Sequence, residues 1–305
     1  MALSLLAGKV WLPLSAWDSA DPRWLIIVEL RLPRTVLAAL VGAALGMSGA
    51  AMQGYLRNPL ADPGLFGVSA AAALGAVISL FFGYTAQAWL LPTFALAGAG
   101  IAMALLALLV GRSGSLIVFT LSGVILSSIA GSMTALAISL APTPFATSQI
   151  VTWLMGALTD RSWDDVRIAL PLIVLGMALL AATGRSLDAL TLGEPAARSM
   201  GVNPLQLQLL VIGGVGLCVG ASVAAAGIIG FVGLMVPHLV RPFVGYRPSA
   251  VLLPSALAGA LLLVVADSAV RAAPTVSELR LGIAMSMLGG PFFLALLLRM
   301  RRQLP

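Results

Sequence analysis

The stretch LVGAALGMSGAAMQG (residues 40–54) decides the fold class of this chain. It lies inside an uncharged run, residues 35–56, and a helix that crosses a bilayer needs roughly 20 mostly apolar residues. Gly, Ala and Ser occupy many of its positions, and small residues permit the close backbone approach that holds helices together in lipid. The run therefore predicts a transmembrane helix that packs tightly against its neighbours.

The composition of the whole chain extends this prediction. Of 305 residues, 60% are hydrophobic and 9% charged, and the mean hydropathy is +1.06. The formal net charge of +6 is spread over single residues at segment ends, which is typical of membrane loops and not of a nucleic-acid-binding face. A single histidine and the lone Cys218 argue against a His/Cys metal site and exclude an internal disulfide. We predict an all-α polytopic membrane protein with one domain, residues 1–305, and no nucleic-acid partner.

Uncharged stretches of sufficient length predict nine full spans. Residues 141–149 (APTPFATSQ) are predicted to form a loop, and residues 149–158 a short interfacial helix. The predicted spans cover residues 35–56, 64–83, 88–111, 115–140, 168–184, 204–226, 228–244, 250–270 and 281–298.

The basic residues suggest an orientation. The densest basic cluster, LRMRRQ at the C-terminus, is placed in the cytoplasm, and counting back along the spans puts nine basic residues inside and eight outside. This bias is weak, so the outer arginines need another reason. Those placed outside are Lys9, Arg23, Arg31, Arg34, Arg161, Arg167, Arg271 and Arg280.

The polar stretch TLGEPAARSMGVNP (residues 191–204) falls on the cytoplasmic side in this topology. Glu194 and Pro195 suit a helix N-terminus, and Gly201 suits a left-handed C-cap. Asn203 and Pro204 then suit the N-cap and first turn of the next, apolar helix. The pattern predicts a short, firmly capped helix outside the bilayer, which is either a solvated connector or a contact surface for another protein.

Several stretches together closely resemble the permease subunits of bacterial ABC importers for cobalamin, iron–siderophores and haem. The resemblance runs in order through almost everything from residue 29 to residue 302. It is carried by RLPRTVLAALVGAALGMSGAAMQGYLRNPLADPGLFGVSAAAALGA (31–76), LGEPAARSMGVNP (192–204), GIIGFVGLMVPHLVR (227–241), LLPSALAGALLLVVADSAVR (252–271) and SELRLGIAMSMLGGPFFLALLLR (277–299).

The resemblance implies a bundle of about nine to ten transmembrane helices that contains inverted repeats, in the bacterial cytoplasmic (inner) membrane. Two copies of the permease form a central pathway, two ATPase subunits lie below it, and a periplasmic binding protein docks above it. The permease would bind no cofactor itself, because ATP and Mg belong to the ATPase. The cargo would be siderophore–iron, haem or cobalamin, and no residue of the sequence decides among the three.

Within this family, residues 185–203 match the cytoplasmic coupling segment, whose helix fits a groove on the ATPase. The outer arginines Arg31, Arg34 and Arg271 match those that pair with glutamates of the binding protein, although anchoring to lipid headgroups is the alternative. Arginine suits such pairing because its planar guanidinium grips a carboxylate with two hydrogen bonds. The matched coupling residues are Leu192, Gly193, Glu194, Pro195, Ala196, Ala197, Arg198, Ser199, Met200 and Gly201.

Two departures from the family pattern stand out. Residues 1–30 contain at most a partial first helix, with residues 1–8 as its tail, followed by a periplasmic segment. The start codon was placed too late, the chain was trimmed, or this protein lacks the helix. The polar Thr-Ser inner gate of the cobalamin permease aligns with Leu116 and Ile117, so the gate here is apolar or the alignment slips by a few residues.

The leading functional hypothesis is thus the permease subunit of an ATP-driven importer, and not an enzyme. The sequence contains no P-loop of the form GxxxxGK[ST], so ATP hydrolysis would fall to a partner. An ion-gradient-driven secondary transporter is the alternative, since inverted repeats and Gly-broken helices also occur in that class. The middles of the spans are almost free of charge, which counts against it. Asp267 and Arg271, four residues apart near the outer end of a span, are predicted to form a local pair.

Overall fold

The computed structural model describes residues 2–8, 13–18, 21–84, 87, 89–111, 116–274 and 278–301. Within them the chain is helical throughout, with short connections. A π-helical turn, Ile26–Arg31, leads directly into the second α-helix. The helices are α1 (Ala2–Leu6), α2 (Leu32–Tyr55), α3 (Val68–Phe81), α4 (Leu90–Val110), α5 (Leu116–Ser139), α6 (Pro144–Leu154), α7 (Trp163–Ala182), α8 (Gly184–Leu190), α9 (Glu194–Ser199), α10 (Pro204–Ala226), α11 (Val232–Val244), α12 (Pro248–Ala272) and α13 (Leu281–Arg301).

Each of the nine predicted spans contains one apolar helix, and this part of the prediction is confirmed. Within the described residues, six helical stretches are long and apolar enough to cross a membrane: Ile26–Tyr55, α4, α5, α7, α10 and α12. The apolar helices α3, α11 and Leu281–Leu296 of α13 are shorter. α3 loses its first predicted turn because Asp62 accepts a hydrogen bond from Gly64 N–H and starts a separate 3-10 turn, Pro63–Phe66. α11 starts late because Phe231 adopts a left-handed conformation.

Two predicted boundaries are wrong, and side-chain capping explains both. Residues 141–149 are not all loop, because α6 already begins at Pro144 and the Thr143 hydroxyl accepts a hydrogen bond from Ala146 N–H. The fifth span begins at Trp163 and not at residue 168. There Ser162 and Asp165 form a reciprocal capping box, which lets charged residues occupy the first turn of α7.

The core of the bundle forms around α2 and α10, which are buried along most of their length. α2 packs along α12 with backbone almost in contact with backbone. A side-chain carbon at Gly42 would collide with the carbonyl group of Gly259, and one at Gly259 with that of Gly42. The small residues of the opening stretch therefore serve close helix packing, as predicted. α4, α5 and α7 lie at the periphery and expose most of their side chains.

Candidate coupling segment and outer arginine cluster

The polar stretch forms the short capped helix that the sequence predicts. Gly193 precedes α9 with φ of +98°, and Pro195 lies in its first turn. At the other end Gly201 has φ of +85°, and its N–H and that of Val202 donate to the carbonyls of Arg198 and Ala197. This pair of bonds is a Schellman cap, so glycine meets a conformational demand at both ends of α9.

The connection from α9 to the next helix is also capped. The Asn203 side chain accepts hydrogen bonds from Leu205 N–H and Gln206 N–H, and Pro204 occupies the first position of α10. The predicted N-cap is therefore confirmed. α9 ends at Ser199, and the buried helix α10 begins at Pro204. The connection consists of the cap residue Met200 and residues 201–203. A displacement of α9 must therefore act on α10 almost directly.

One side of α9 is held against the bundle. The Ala197 side chain is buried, and a small crevice beneath the helix is lined by Tyr55 of α2, Leu116 of α5 and Leu207 of α10, among others. The Glu194 carboxylate lies 3.8 Å from the guanidinium of Arg57, just beyond the end of α2. α9 thus packs on α8 and faces three of the long helices across this crevice.

The other side of α9 faces away from the bundle. Pro195, Arg198 and Ser199 are exposed, and the large apolar side chains of Leu192 and Met200 project on either side of the helix. A helix flanked by exposed apolar side chains can bind in a hydrophobic groove of another protein. All ten predicted coupling residues therefore lie together on one short projecting unit.

The preceding helix α8 was not predicted, and it braces the coupling segment. Asp188 accepts hydrogen bonds from the backbone and hydroxyl of Ser249 at 2.9 and 2.6 Å, and from Arg247 at 3.2 Å. Burial works against ionisation of Asp188, but these hydrogen bonds outweigh it and hold the pKa below its usual value. Asp188 thereby ties α8 to the start of α12.

The opposite end of the molecule holds a cluster of buried ions, which we call the outer arginine cluster: Arg34, Asp267, Arg271 and Glu278. Arg34 donates to Asp267 through Nε at 3.0 Å and through Nη2 at 2.8 Å. Arg271 forms the predicted i,i+4 ion pair with the same carboxylate, Nε to Oδ2, at 3.0 Å. Arg34 and Arg271 are only 9% and 4% exposed. Their charges are therefore compensated inside the chain.

Glu278 completes the outer arginine cluster from the connection before α13. Its carboxylate accepts hydrogen bonds from Arg34 Nη1 at 3.0 Å and from the Thr159 hydroxyl at 3.0 Å. Burial opposes its ionisation, but the Arg34 guanidinium outweighs that effect and lowers the pKa of Glu278. Arg34 thus joins α2 to α12 and to the start of α13 at once.

The predicted docking arginines differ in their surroundings. Arg31 is half-buried, and its Nη1 donates to the carbonyls of Leu5 and Leu6 in and beside α1. Arg271 donates through Nη2 to Ser4 of α1 at 2.6 Å. Docking of a binding protein by Arg31, Arg34 and Arg271 stays a prediction. The pairing of Arg34 with Asp267 was missed, because no local pattern joins residues 233 positions apart.

The two predicted gate residues do not lie together. Leu116 is half-buried and lines the crevice beneath α9. Ile117, the next residue of α5, is 80% exposed and points away from the described part of the chain. The gate stays a prediction, and of the two side chains Ile117 is the largely exposed one.

A multi-pass helical bundle with a capped helix projecting from one end and a core of small residues defines a transport permease. The model of the FecCD transport family matches residues 1–299, and the chain therefore belongs to this family of ABC-importer permeases. It is a multi-pass protein of the bacterial cytoplasmic membrane.

Named relatives support this assignment over nearly the full length. The chain is 40% identical over 304 residues to the vitamin B12 import system permease protein BtuC of Salmonella typhi, covering 98% of this chain and 91% of BtuC. It is 37% identical over 303 residues to the Fe(3+) dicitrate transport system permease protein FecD of Escherichia coli (strain K12), covering 98% and 94%. A solved structure described as an inward-facing metal-chelate type ABC transporter superposes with a TM-score of 0.89 at 32% identity, covering 97% of this chain and 94% of the other.

Proposed function

We propose that two copies of this permease form the membrane pathway of an importer that carries an iron chelate, siderophore–iron or haem, from periplasm to cytoplasm. A separate ATPase with its ATP and Mg drives the transport through α9, and a periplasmic binding protein delivers the cargo. The observation that carries the proposal is the construction of α9, which is capped at both ends, borders a crevice lined by three long helices, and is flanked by exposed apolar side chains.

A rigid projecting helix transmits a push that a flexible loop would absorb. The test replaces residues 193–201 by a Gly/Ser linker of equal length and reconstitutes the permease with its ATPase and binding protein. We expect ATP hydrolysis to continue while uptake into proteoliposomes is lost. The control is Arg167→Gln, a largely exposed arginine of α7 that lies outside the coupling segment. Full uptake by the linker variant would show that the segment is only a connector.

Ion-gradient coupling has no support from Asp267, the buried carboxylate near the outer end of α12. Asp267 is buried and shares its two carboxylate oxygens with Arg34 and Arg271, so both oxygens already have partners inside the chain. With ATP held constant, an uncoupler should therefore leave uptake unchanged. Uptake that stopped with the uncoupler would favour a secondary transporter.

The cargo follows from the relatives only as a class. FecD is named for Fe(3+) dicitrate and supports an iron chelate, whereas the solved neighbour is named only for a metal chelate. BtuC, at similar identity, keeps vitamin B12 as the alternative cargo. Uptake of ferric citrate, a ferric hydroxamate, haem and cyanocobalamin by the complete transporter would decide. Uptake of cyanocobalamin alone would overturn the iron assignment.

The pairing of two copies is supported by the surface of α5. The polar side chains of Ser128 and Ser132 are exposed along this apolar helix, where lipid tails would offer them no partners. A pathway between two copies would place them beside water. Bis-maleimides of graded length should therefore cross-link Ser128→Cys into dimers, and Val174→Cys, on the exposed side of α7, should not react in this way. Native Cys218 is buried and gives little background. Equal cross-linking from α7 would contradict the proposed interface.

A further inference from the structure

A cavity of about 530 Å³ opens on the same side of the bundle as α9. It lies between the end of α2, the second half of α11, and the start of α12, and Thr191 of the coupling segment reaches its edge. Neither the pathway helix α5 nor the exposed side of α9 contributes to it. Its walls are formed by Ala50, Gln53, Gly54, Arg57, Asn58, Pro59, Thr191, His238, Arg241, Pro242, Tyr246, Pro248 and Val251.

Basic side chains line the cavity, and of these Arg57 has an acidic neighbour outside the lining, Glu194, at 3.8 Å. Arg57, His238 and Arg241 line it, and in the part of the chain that the structure describes no Asp or Glu does so. Basic residues at the C-terminal ends of helices offset the helix dipole, which accounts for cations at the ends of α2 and α11. It does not account for their convergence on one open space.

Arg241 is held in place by a chain of hydrogen bonds. Its Nη2 donates to the Gln53 side-chain oxygen at 2.6 Å, and the Gln53 amide donates to the carbonyls of Gly233 and Leu234 at 3.3 Å. Gln53 itself is buried. The guanidinium is therefore fixed at the wall of the cavity before any ligand arrives, which reduces the entropy lost on binding.

The cavity changes character with depth. Ala50 lies more than one turn inside α2 and, with Val251, gives the cavity an apolar floor, whereas Arg57 lies beyond the end of α2. Tyr246 lies on the wall of the cavity, and Phe243 comes three residues before it in the sequence. Both side chains are largely exposed. Aromatic rings of this kind gather at the membrane–water interface. The cavity therefore lies at the level of the lipid headgroups of the inner leaflet.

We propose that this cavity binds the phosphate group of an anionic membrane phospholipid. Arg57 and Arg241 would hold the phosphate oxygens, as guanidinium groups do through paired charge-assisted hydrogen bonds, and the apolar floor would receive the upper part of the acyl chains. Arg57 also faces Glu194 of α9 at 3.8 Å. A phosphate beside Arg57 competes with that carboxylate, so the lipid would loosen the contact between α2 and the coupling segment.

The experiment titrates the purified full chain in detergent with short-chain phosphatidylglycerol or phosphatidylcholine and measures binding by native mass spectrometry. We expect wild type to prefer phosphatidylglycerol and Arg57→Gln and Arg241→Gln each to bind it about tenfold more weakly. Arg247→Gln is the matched control. This arginine follows the lining residue Tyr246 in the loop between α11 and α12, but it pairs with Asp188 outside the cavity. If Arg241→Gln fails to fold, Arg57→Gln, whose side chain is partly exposed, decides alone.

Three results would overturn the proposal. Equal affinity for the two lipids, or wild-type affinity in Arg57→Gln, would remove the site. Inorganic phosphate that binds as tightly as phosphatidylglycerol, with the same dependence on Arg57, would assign the cavity to a soluble oxyanion instead of a lipid. None of these measurements depends on transport. A failure of the lipid proposal can therefore be distinguished from a failure of the proposed function.

Discussion

The two ends of α2 are held in opposite ways. At the outer end Arg34 is 9% exposed and shares an ion pair with Asp267 at 2.8 Å. Beyond the inner end Arg57 and Glu194 are separated by 3.8 Å, and their side chains are 41% and 43% exposed. A buried, hydrogen-bonded ion pair is costly to break, whereas an exposed pair contributes little. The difference indicates a bundle that is fixed outside and adjustable where the ATPase would act.

The largest expected effect comes from breaking the fixed end. Asp267→Ala leaves Arg34 and Arg271 close together without their shared carboxylate, and loss of one partner of a buried ion pair costs about 3–5 kcal/mol. Thermal and denaturant unfolding in detergent measure this loss of stability. The control is Asp164→Ala, whose partner Arg167 is largely exposed, and we expect a change below about 0.5 kcal/mol. Equal effects of the two variants would mean that the outer arginine cluster does not stabilise the fold.

A smaller effect is expected from Glu278, and it depends on pH. Because its pKa is lowered in the folded state, its stabilising contribution is complete above the ordinary value of 4.5 and disappears as pH falls through the lowered value. Glu278→Gln should cost about 1.5 kcal/mol at neutral pH and nothing in strong acid. Unfolding temperatures of wild type and variant should therefore converge at low pH. A constant difference would assign the effect to packing.

The next largest destabilisation is expected at the C-terminal cap of α9. Gly201→Ala places a side chain in a left-handed conformation, at a cost of about 1 kcal/mol that falls on α9. We expect faster amide hydrogen exchange in residues 194–203 and less uptake per ATP hydrolysed. Gly100→Ala is the control, because this helical glycine has open space around it. Unchanged exchange in α9 would show that its rigidity does not depend on the cap.

The smallest effect is expected at the adjustable end. A double-mutant cycle of Arg57→Gln and Glu194→Gln should give a coupling of less than about 1 kcal/mol that weakens with salt. The coupling is calculated from the free energies of unfolding of the wild type, the two single variants and the double variant. A coupling as large as that of the outer arginine cluster would remove the contrast between the two ends of α2.

Local sequence patterns predict much of this molecule. Uncharged runs located the nine apolar helices, and the caps around α9 followed from Pro195, Gly201 and Asn203, because each of these signals acts within a few residues. The spacing of Asp267 and Arg271 gave their ion pair for the same reason.

The sequence failed where a structure depends on distant partners or on an overlooked cap. The start of α7 was missed because the Ser162–Asp165 capping box allows charges inside a helix that had been sought among uncharged residues. The link from Arg34 to Asp267 and Glu278 depends on how α2 lies against α12, and helical periodicity contains no such information. The family resemblance marked Arg34 as an outer arginine but not its internal partners.

The backbone contact between Gly42 and Gly259 has a mechanical consequence. No side chain separates α2 from α12 there, so the two helices have no layer along which to slide, and they must move as one strut. α2 has 24 residues and is therefore about 36 Å long. A sideways push near Arg57 would therefore tilt the whole strut about its outer end. The outer arginine cluster would then be the pivot at which that lever is held.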